Sequence, residues 1–557
     1  MSLSSMIDEK AVTAHVEMAS TNNSANEMSR AEIVASLVDK AKQATNAEHD
    51  MTVKEALKYH KKAIFWSMVM SATIIMEGYD NILMTSFFAY PSFQRKYGVP
   101  VGNGEYQLEG RWQVALGCAS SVGTIFGVFA NGYMIEKFGH RRTIMGALVV
   151  MSAFIFITFF APSVEVLLVG QILCGLPWGV FATMGPTYSS EVCPLALRGY
   201  LTAYVNMCWA IGQFVAAGVL QGLVSNTTEW SYRIPFAVQW AWPVPLFILT
   251  LLAPNSPWWL VRHGNIEGAE KAVRRLSAKS IAHEAKPRVA LMVHTNALEV
   301  EQDSQKEDDF KGWKSYIMVF KGTNLRRTEI VCIAFAGQVL SGSSFAYSPS
   351  YFFSQAGLNP SDTYKLNLGT TGIAFCGCIG SWFLLSRFGR RTIYCTGYLV
   401  LTLVLLLIGI LAVPAEHNGT IKWVQAAFTE IWVATYALTI GPLAFTIVSE
   451  TSSTRLRAQS IAMARNAYNL ASLVSNVVEP YLINPQNANL KGKTAFVWFA
   501  TAFPTLIWSY FRLPETRDRT YEELDILFER RIPARKFASY KLDSDDLQPI
   551  TSDVPKV

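Results

Sequence analysis

Apolar runs of roughly 20 residues, the length that crosses a bilayer as a helix, recur along most of this chain. They fall near 63–88, 111–135, 143–161, 165–188, 199–224 and 234–253, and again near 328–354, 367–386, 393–413, 421–448, 457–483 and 494–512. A polar stretch, 255–327, separates six runs from six. Within it, Ile266 to Leu276 carries apolar residues at helical spacing, which predicts a short amphipathic helix on the membrane surface. The pattern predicts an all-α membrane protein of twelve transmembrane helices. Its parts are a tail (1–60), a six-helix bundle (61–254), a linker with short helices (255–327), a second six-helix bundle (328–513) and a second tail (514–557). No cleavable leader is visible, so the first apolar run is expected to serve as the insertion signal.

Composition agrees. Of 557 residues, 51% are apolar and only 16% charged, against about a quarter charged in soluble domains. The net charge of +6 is spread over short clusters between apolar runs, not gathered into the basic patch of a nucleic-acid binder. Those clusters, Glu136 to Arg142, Arg198, Arg387 to Arg391 and Arg455 to Arg457, are expected to face the cytoplasm. Both termini and the linker then lie inside. The sequons at Asn226 and Asn418 fall in loops on the outer side, where glycosylation is expected. The eight cysteines show no metal-ligand spacing and read as small apolar packing residues. No nucleophile–base set or phosphate loop appears, so neither an enzyme nor a cofactor is expected.

The two sets of runs echo each other. Phe138-Gly139-His140-Arg141-Arg142-Thr143 matches Phe388-Gly389-Arg390-Arg391-Thr392. Ser190-Glu191 with Arg198 matches Ser449-Glu450 with Arg457. Pro254-Asn255-Ser256 matches Pro514-Glu515-Thr516. An ordered repeat at an offset of about 250–260 residues marks duplicated halves, which in carriers rock about a site near the bilayer midplane. Arg141, Arg142, Glu191, Arg198, Arg390, Arg391, Glu450 and Arg457 are the expected cytoplasmic gate, with Glu191 pairing Arg142 and Glu450 pairing Arg391.

These residues resemble the sugar porter family of the major facilitator superfamily, and within it the fungal α-glucoside (maltose-type) permeases. Further resemblance lies in Glu77-Gly-Tyr-Asp80, Arg111-Trp-Gln113, Cys174-Gly-Leu-Pro-Trp-Gly179, Tyr351-Phe-Phe-Ser-Gln-Ala-Gly357 and Pro514-Glu-Thr-Arg-Asp-Arg-Thr520. It implies the major facilitator fold in a plasma membrane, a sugar as solute, alternating access and a monomer.

Acids at membrane depth are costly and mark ion or substrate paths. Glu77 and Asp80, three residues apart on one helix face, are therefore candidate proton sites, and the resemblance implies proton coupling. Arg465 is the cation within the eleventh run and is expected to partner one of them or to face the solute. Gln171 stands where many sugar porters have an Arg, and Thr124 where the maltose-type relatives have an acid. A uniporter therefore stays open beside a symporter, as does a sugar sensor signalling through partners at its tails. Sugars need amides for hydroxyls and aromatic faces for the ring. By resemblance these are Asn206, Gln213, Gln338 and Phe445, with Gln171 at the departed Arg position; Tyr347 nearby and Asn466, Tyr468 and Asn469 on the eleventh run offer further polar groups. The reduced set of amides and aromatics suits a disaccharide or oligosaccharide of the maltose, cellobiose or lactose type.

Overall fold

The computed structural model describes residues 50–540 apart from 89, 103–104, 227, 304–313, 347–359, 416–418, 454–455, 484–487 and 489. Two helices, α1 (Lys61–Ser71) and α2 (Ile74–Phe87), open the bundle. They are followed by α3 (Gly110–Phe138), α4 (His140–Phe159), α5 (Val164–Val192) and α6 (Leu195–Leu223). Then come α7 (Trp230–Val238) and α8 (Pro243–Leu252). The linker holds α9 (Pro257–Arg262), α10 (Ile266–Leu276) and α11 (Ala285–Asp303). Beyond it lie α12 (Gly322–Leu340), α13 (Pro360–Arg387), α14 (Arg390–Ala415), α15 (Gly419–Leu438) and α16 (Ile440–Thr451). The series ends with α17 (Arg457–Ile483), α18 (Thr494–Arg512) and α19 (Tyr521–Glu529).

Among the described residues, nine helical segments are long and apolar enough to cross a membrane, so the chain is a multi-pass, all-α membrane protein. One apolar core draws mainly on residues 56–276 and another mainly on residues 330–537. The linker has a small core of its own, in which Ile266, Ala269 and Val273 of α10 meet Val261 of α9 and Val289 of α11. The apolar stripe of α10 is thus covered by its neighbours, as the spacing in the sequence requires.

Glycines set how closely the helices approach. A Cβ on Gly123 of α3 would strike the Ile172 carbonyl of α5, and one on Gly175 would strike the Ser120 carbonyl. Gly127 and Gly179 repeat the contact one turn on, and Gly78 of α2 packs on the Trp209 backbone of α6. In lipid, where apolar burial between helices supplies little drive, such backbone contact is what associates them.

Several runs expected as single helices are broken. The first is interrupted at Ala72 and Thr73, where the Thr73 hydroxyl donates to the Met70 carbonyl at 2.8 Å; a side chain bonded to the preceding turn competes with the helical ladder. The run 421–448 breaks at Thr439 (φ −123°, ψ −82°), three residues before Pro442, which has no N–H to carry the ladder across. The run 328–354 breaks after Leu340, with Gly342 at φ +87°, a conformation that favours glycine. Hydropathy averages over such breaks.

Two outcomes follow from this packing. Gly123→Ala is expected to lower stability by about 1–3 kcal/mol through overpacking, read as a lower unfolding temperature in detergent, whereas Gly146→Ala, with open space around it, should not. The second concerns His60, buried before α1, where Arg288 of α11 donates to its Nε2 at 3.1 Å. Burial and that guanidinium push His60 from its ordinary 6.5 down to about 3. The fold holds the neutral ring, so its stabilisation is present above 6.5 and is lost as pH falls toward 3. The unfolding temperature of His60→Asn should fall less steeply than that of the wild type across this window.

Candidate functional site

A cavity of about 360 Å³ lies between helices that precede the linker and helices that follow it, within the size range of small-ligand sites. α2 contributes Glu77, Asp80 and Asn81, α3 contributes Gln113, Ser120 and Thr124, and α5 and α6 contribute Trp178, Trp209 and Gln213. From the other side come Tyr436 of α15 and, on α17, Arg465, Tyr468, Asn469, Ser472, Asn476 and Glu479. The cavity reaches toward the end of the molecule where α3 begins and α17 finishes, since Gln113 and Pro480 line it.

Its floor carries one ion pair. The Arg465 guanidinium donates to Glu77 Oε1, joining residues 388 positions apart in sequence. Both side chains are buried. The same guanidinium lies 4.7 Å from the centre of the Tyr468 ring, a cation–π contact that strengthens where water is excluded. Asp80 has no such cation. Its Oδ1 accepts from Gln239 Nε2 at 2.6 Å, and Gln171 lies beside it. Gln239 sits in the one-turn break between α7 and α8, where the sequence shows only an apolar run with an amide inside.

The expected sugar ligands divide. Gln213, Tyr468 and Asn469 line the cavity. Gln338 stands behind it, its Oε1 accepting from the Tyr436 hydroxyl at 2.8 Å. Asn466 is buried on α17, and neither of its amide atoms has a hydrogen-bond partner. Asn206 is turned elsewhere, donating to Cys378 Sγ at 3.1 Å, because Cys378 of α13 and Gly441 of α16 close over that face of α6. Phe445 packs edge-on against Phe335, ring centres 4.9 Å apart, and forms core, not cavity wall. Tyr347 and Asn418 lie outside the described residues. Asn226 is partly exposed and accepts from Thr228. Trp178, Trp209, Tyr436, Gln239 and Glu479 belong to this region without having been singled out from sequence; aromatic and amide residues in an apolar run give no sign of which face they occupy, and Glu479, an acid near the end of the eleventh run, reads from sequence as a group at the membrane edge.

At the opposite end the repeated motifs meet, with partners that differ from those expected. Glu191 accepts from Arg262 of α9 at 2.9 Å and from the Ser256 hydroxyl, with His140 Nε2 at 3.5 Å. Glu450 accepts from Arg390 at 3.0 Å and from the Thr516 hydroxyl at 2.6 Å. Neither pairs with Arg142 or Arg391. Arg142 is exposed on α4, Arg141 and Arg142 form no ion pair among the described residues, and Arg391 donates to the Tyr510 carbonyl at 2.7 Å. The reason is register: His140 and Arg390 are each the first residue of their helix after a glycine, so they, and not the arginines that follow, face the acid. Ser256 and Thr516 each lie two residues past the matching proline, so acid, helix start and hydroxyl recur in both sets.

A tyrosine links these sets. Arg198 and Arg457 lie 3.8 and 3.9 Å from the centre of the Tyr521 ring, and the Tyr521 hydroxyl donates to the Ser190 carbonyl at 3.3 Å. Nearby the Thr202 hydroxyl meets that of Thr446 at 3.2 Å. This end of the molecule is closed.

A many-helix membrane bundle around a polar cavity, tied shut at one end, has the build of a solute carrier. The family described as "Sugar (and other) transporter" matches residues 66–528. Maltose permease MAL61 of Saccharomyces cerevisiae is 37% identical over 508 residues, covering 90% of this chain and 81% of that protein. The general alpha-glucoside permease of the same yeast is 36% identical over 514 residues, 91% and 81% of the two chains. The proton:xylose symporter XylE bound to 6-bromo-6-deoxy-D-glucose shares the fold, with a TM-score of 0.72 at 19% identity over 85% of this chain and 100% of that one. The chain belongs to the sugar transporter family; it is a sugar transporter and not an enzyme.

Arg262 was not visible as a gate partner in the sequence. Arg262→Ala should leave the Glu191 carboxylate buried without its nearest cation and cost on the order of 3–5 kcal/mol, seen as a fall in unfolding temperature. Arg274→Ala, at an exposed pair with Glu270, should cost no more than about 0.5 kcal/mol.

Proposed function

We propose that this transporter carries an α-glucoside, a disaccharide or short oligosaccharide of the maltose type, into the cell together with a proton. The observation that supports it best is the Glu77–Arg465 ion pair, which bridges the two sides of the cavity. A proton taken up by Glu77 from outside weakens the hold on Arg465, with Asp80 as a second proton site one helical turn away. The sugar, held by Gln213, Asn469 and the rings of Tyr468 and Trp178, then occupies the gap. Re-forming the ion pair after the carrier turns over expels the proton inside. The names of the yeast relatives support the α-glucoside class.

In this reading twelve helices form two halves of six, residues 61–254 and 328–513. The broken pair α1–α2, with α17 and α18, completes the nine apolar spans, and residues 255–327 form a cytoplasmic linker. Both tails are cytoplasmic, and the protein acts as a monomer in the plasma membrane. The end closed by Glu191, Glu450 and Tyr521 is then the cytoplasmic one, and the structure faces outward. Alternating access opens that end as the other closes. A uniporter is the second reading, favoured by Thr124, whose hydroxyl donates to the Ser120 carbonyl at 2.7 Å where an acid would serve a proton.

Uptake of radiolabelled maltose, cellobiose, lactose and glucose by transporter-null cells, with external pH recorded, tests this. Maltose uptake with alkalinisation of the medium is expected. Arg465→Ala should lose uphill accumulation while keeping part of its exchange. Uptake with no pH change would establish the uniporter, and full accumulation by Arg465→Ala would remove the ion pair from the mechanism.

A further inference from the structure

Among the described residues lining the cavity, three are acids, Glu77, Asp80 and Glu479, and one is a base, Arg465. The base is engaged by Glu77, and Asp80 accepts from the Gln239 amide. Glu479 has neither a cation nor a full set of donors. It is 92% buried, being 8% exposed. Its Oε2 accepts from Trp498 Nε1 at 2.7 Å, and its Oε1 has no partner. An ionised carboxylate left that way, in a membrane-spanning helix, carries the full cost of an unpaired buried charge.

Trp498 connects Glu479 to a hinge. The Cβ that Gly342 lacks would stand 3.0 Å from Trp498 Cβ and 3.2 Å from Leu405. Gly342, at φ +87°, is the break between α12 and the short helical turn Ser343–Ala346, whose Ser343 and Ser344 line the cavity. Three bonds tether this turn and its break. Thr501 of α18 donates to the Leu340 carbonyl at 2.8 Å, Ser475 donates to Ser344 at 2.5 Å, and Gly342 N donates to the Val339 carbonyl at 2.9 Å. Asn476, three residues before Glu479, donates to the Gly117 carbonyl of α3 at 3.0 Å, so this stretch of α17 already touches the opposite side. Glu479 is fourteen residues beyond Arg465 on α17, about 21 Å along the axis at 1.5 Å per residue, which places it at the outer mouth.

We propose that Glu479 is a second proton-linked residue of this transporter, a positioning residue that acts on the α12 hinge through Trp498, so that the mouth closes fully over the sugar only when its carboxyl carries a proton. The proton comes from the outer medium through the open mouth and returns there when the mouth reopens; it is not the one carried across. In the packing seen here Glu479 Oε1 is shut off from solvent and no cation stands in for water, so an ionised carboxylate requires the Ser343–Ala346 turn and Trp498 to draw back and admit water. The charged residues on the surrounding elements are placed elsewhere. Lys493, before α18, has a partner of its own. Glu329 of α12 pairs with Arg512 at the far end of α18, where Arg326 and Arg327 also lie. Arg390 and Arg391 are at the start of α14, and Arg111 of α3 pairs with Glu109. Glu430 of α15 accepts from Thr370, Lys422 of α15 has a partner of its own, and none of these groups, nor Lys491, forms an ion pair or hydrogen bond with Glu479 among the described residues.

The inference rests on inward sugar transport with the structure facing outward, and its test separates the two. Initial maltose uptake is measured against external pH, between about pH 5 and 8, for wild type, Glu479→Gln, Glu479→Asp and Trp498→Phe, alongside proton movement and surface expression. One proton-linked step changes an equilibrium by at most about tenfold per pH unit. Glu479→Gln is expected to flatten the pH profile by several-fold at the alkaline end while keeping the proton-to-sugar ratio of the wild type. Trp498→Phe should flatten it likewise, and Glu479→Asp should restore it in part. A Glu479→Gln profile parallel to that of the wild type overturns the proposal and leaves proton symport standing. A halved proton-to-sugar ratio in Glu479→Gln overturns it too, by making Glu479 a carried-proton site. Where Glu479→Gln fails to reach the surface, Trp498→Phe decides: an unchanged profile overturns the proposal.

Discussion

Everything about the cavity depends on one constraint: Glu77 and Arg465 are each untenable alone in a membrane interior. A guanidinium or a carboxylate taken out of water costs several kcal/mol even after relaxation, and only a close opposite charge repays it. Because Glu77 is on α2 and Arg465 on α17, that repayment is available only when the two sides of the bundle stand together at this level. The ion pair is therefore both a ligand-site feature and a register pin. The glycine contacts of α3 with α5 and of α2 with α6 hold the acid side in place, and α17 carries the base. Anything that competes for either charge, a proton on the acid or a hydroxyl-rich solute between them, acts on the relation of the two sides.

The closed end uses the same physics with a different design. Each of Glu191 and Glu450 sits at the last turn of its helix and collects the first residue of an earlier helix, His140 of α4 or Arg390 of α14, and a hydroxyl from the chain segment after a proline. The duplication is close in geometry and unequal in charge. His140 occupies the place that Arg390 fills on the other side, and Arg262 from the linker supplies the missing cation. Glu515 caps α14 by accepting from the Arg390 and Arg391 amides at 2.8 and 3.2 Å, where the first set has Asn255. The second set is thus self-contained, whereas the first depends on α9.

The sequence made the coarse fold legible because hydropathy responds to the one property every span shares. It announced the multi-pass helical membrane class, and the motifs around Glu191 and Glu450 pointed to residues that meet at the closed end. The breaks at Thr73, Thr439 and Gly342 were not legible, since a break costs little hydropathy and depends on what packs beside it. For the site, Glu77, Asp80 and Arg465 stood out because charge in an apolar run is rare. Gln213, Tyr468 and Asn469 do line the cavity, but Asn206 and Phe445 are turned into packing contacts with Cys378 and Phe335. A seven-residue spacing places Asn206 and Gln213 on one face of α6; it does not say where along that face the cavity ends. Arg262 and Tyr521 were missed for a related reason: they reach the closed end from segments outside the apolar runs, and no periodicity ties them to it.

The breaks themselves give the cavity its polar character. In lipid an interrupted helix is tolerated only where its freed backbone groups find partners or line a water-filled space. Three of the interrupted segments bear on this cavity: α1–α2 supplies Glu77 and Asp80, α7–α8 supplies Gln239, and the α12 break places Ser343 and Ser344 at its wall. The α15–α16 break lies just past Tyr436, the residue that carries Gln338 into contact with the wall. Continuous helices would present a ridge of side chains at these levels and bury every backbone group. The interruptions thin that ridge and bring acids and amides to one depth. They also concentrate backbone freedom in the few residues that must move if the cavity is to open to each side in turn. On the acid side polarity and mobility thus arise from the same short segment, since Glu77 and Asp80 follow directly on the Thr73 break, whereas Arg465 reaches the cavity from α17, a helix that runs through this level without a break and gives the acids a fixed partner.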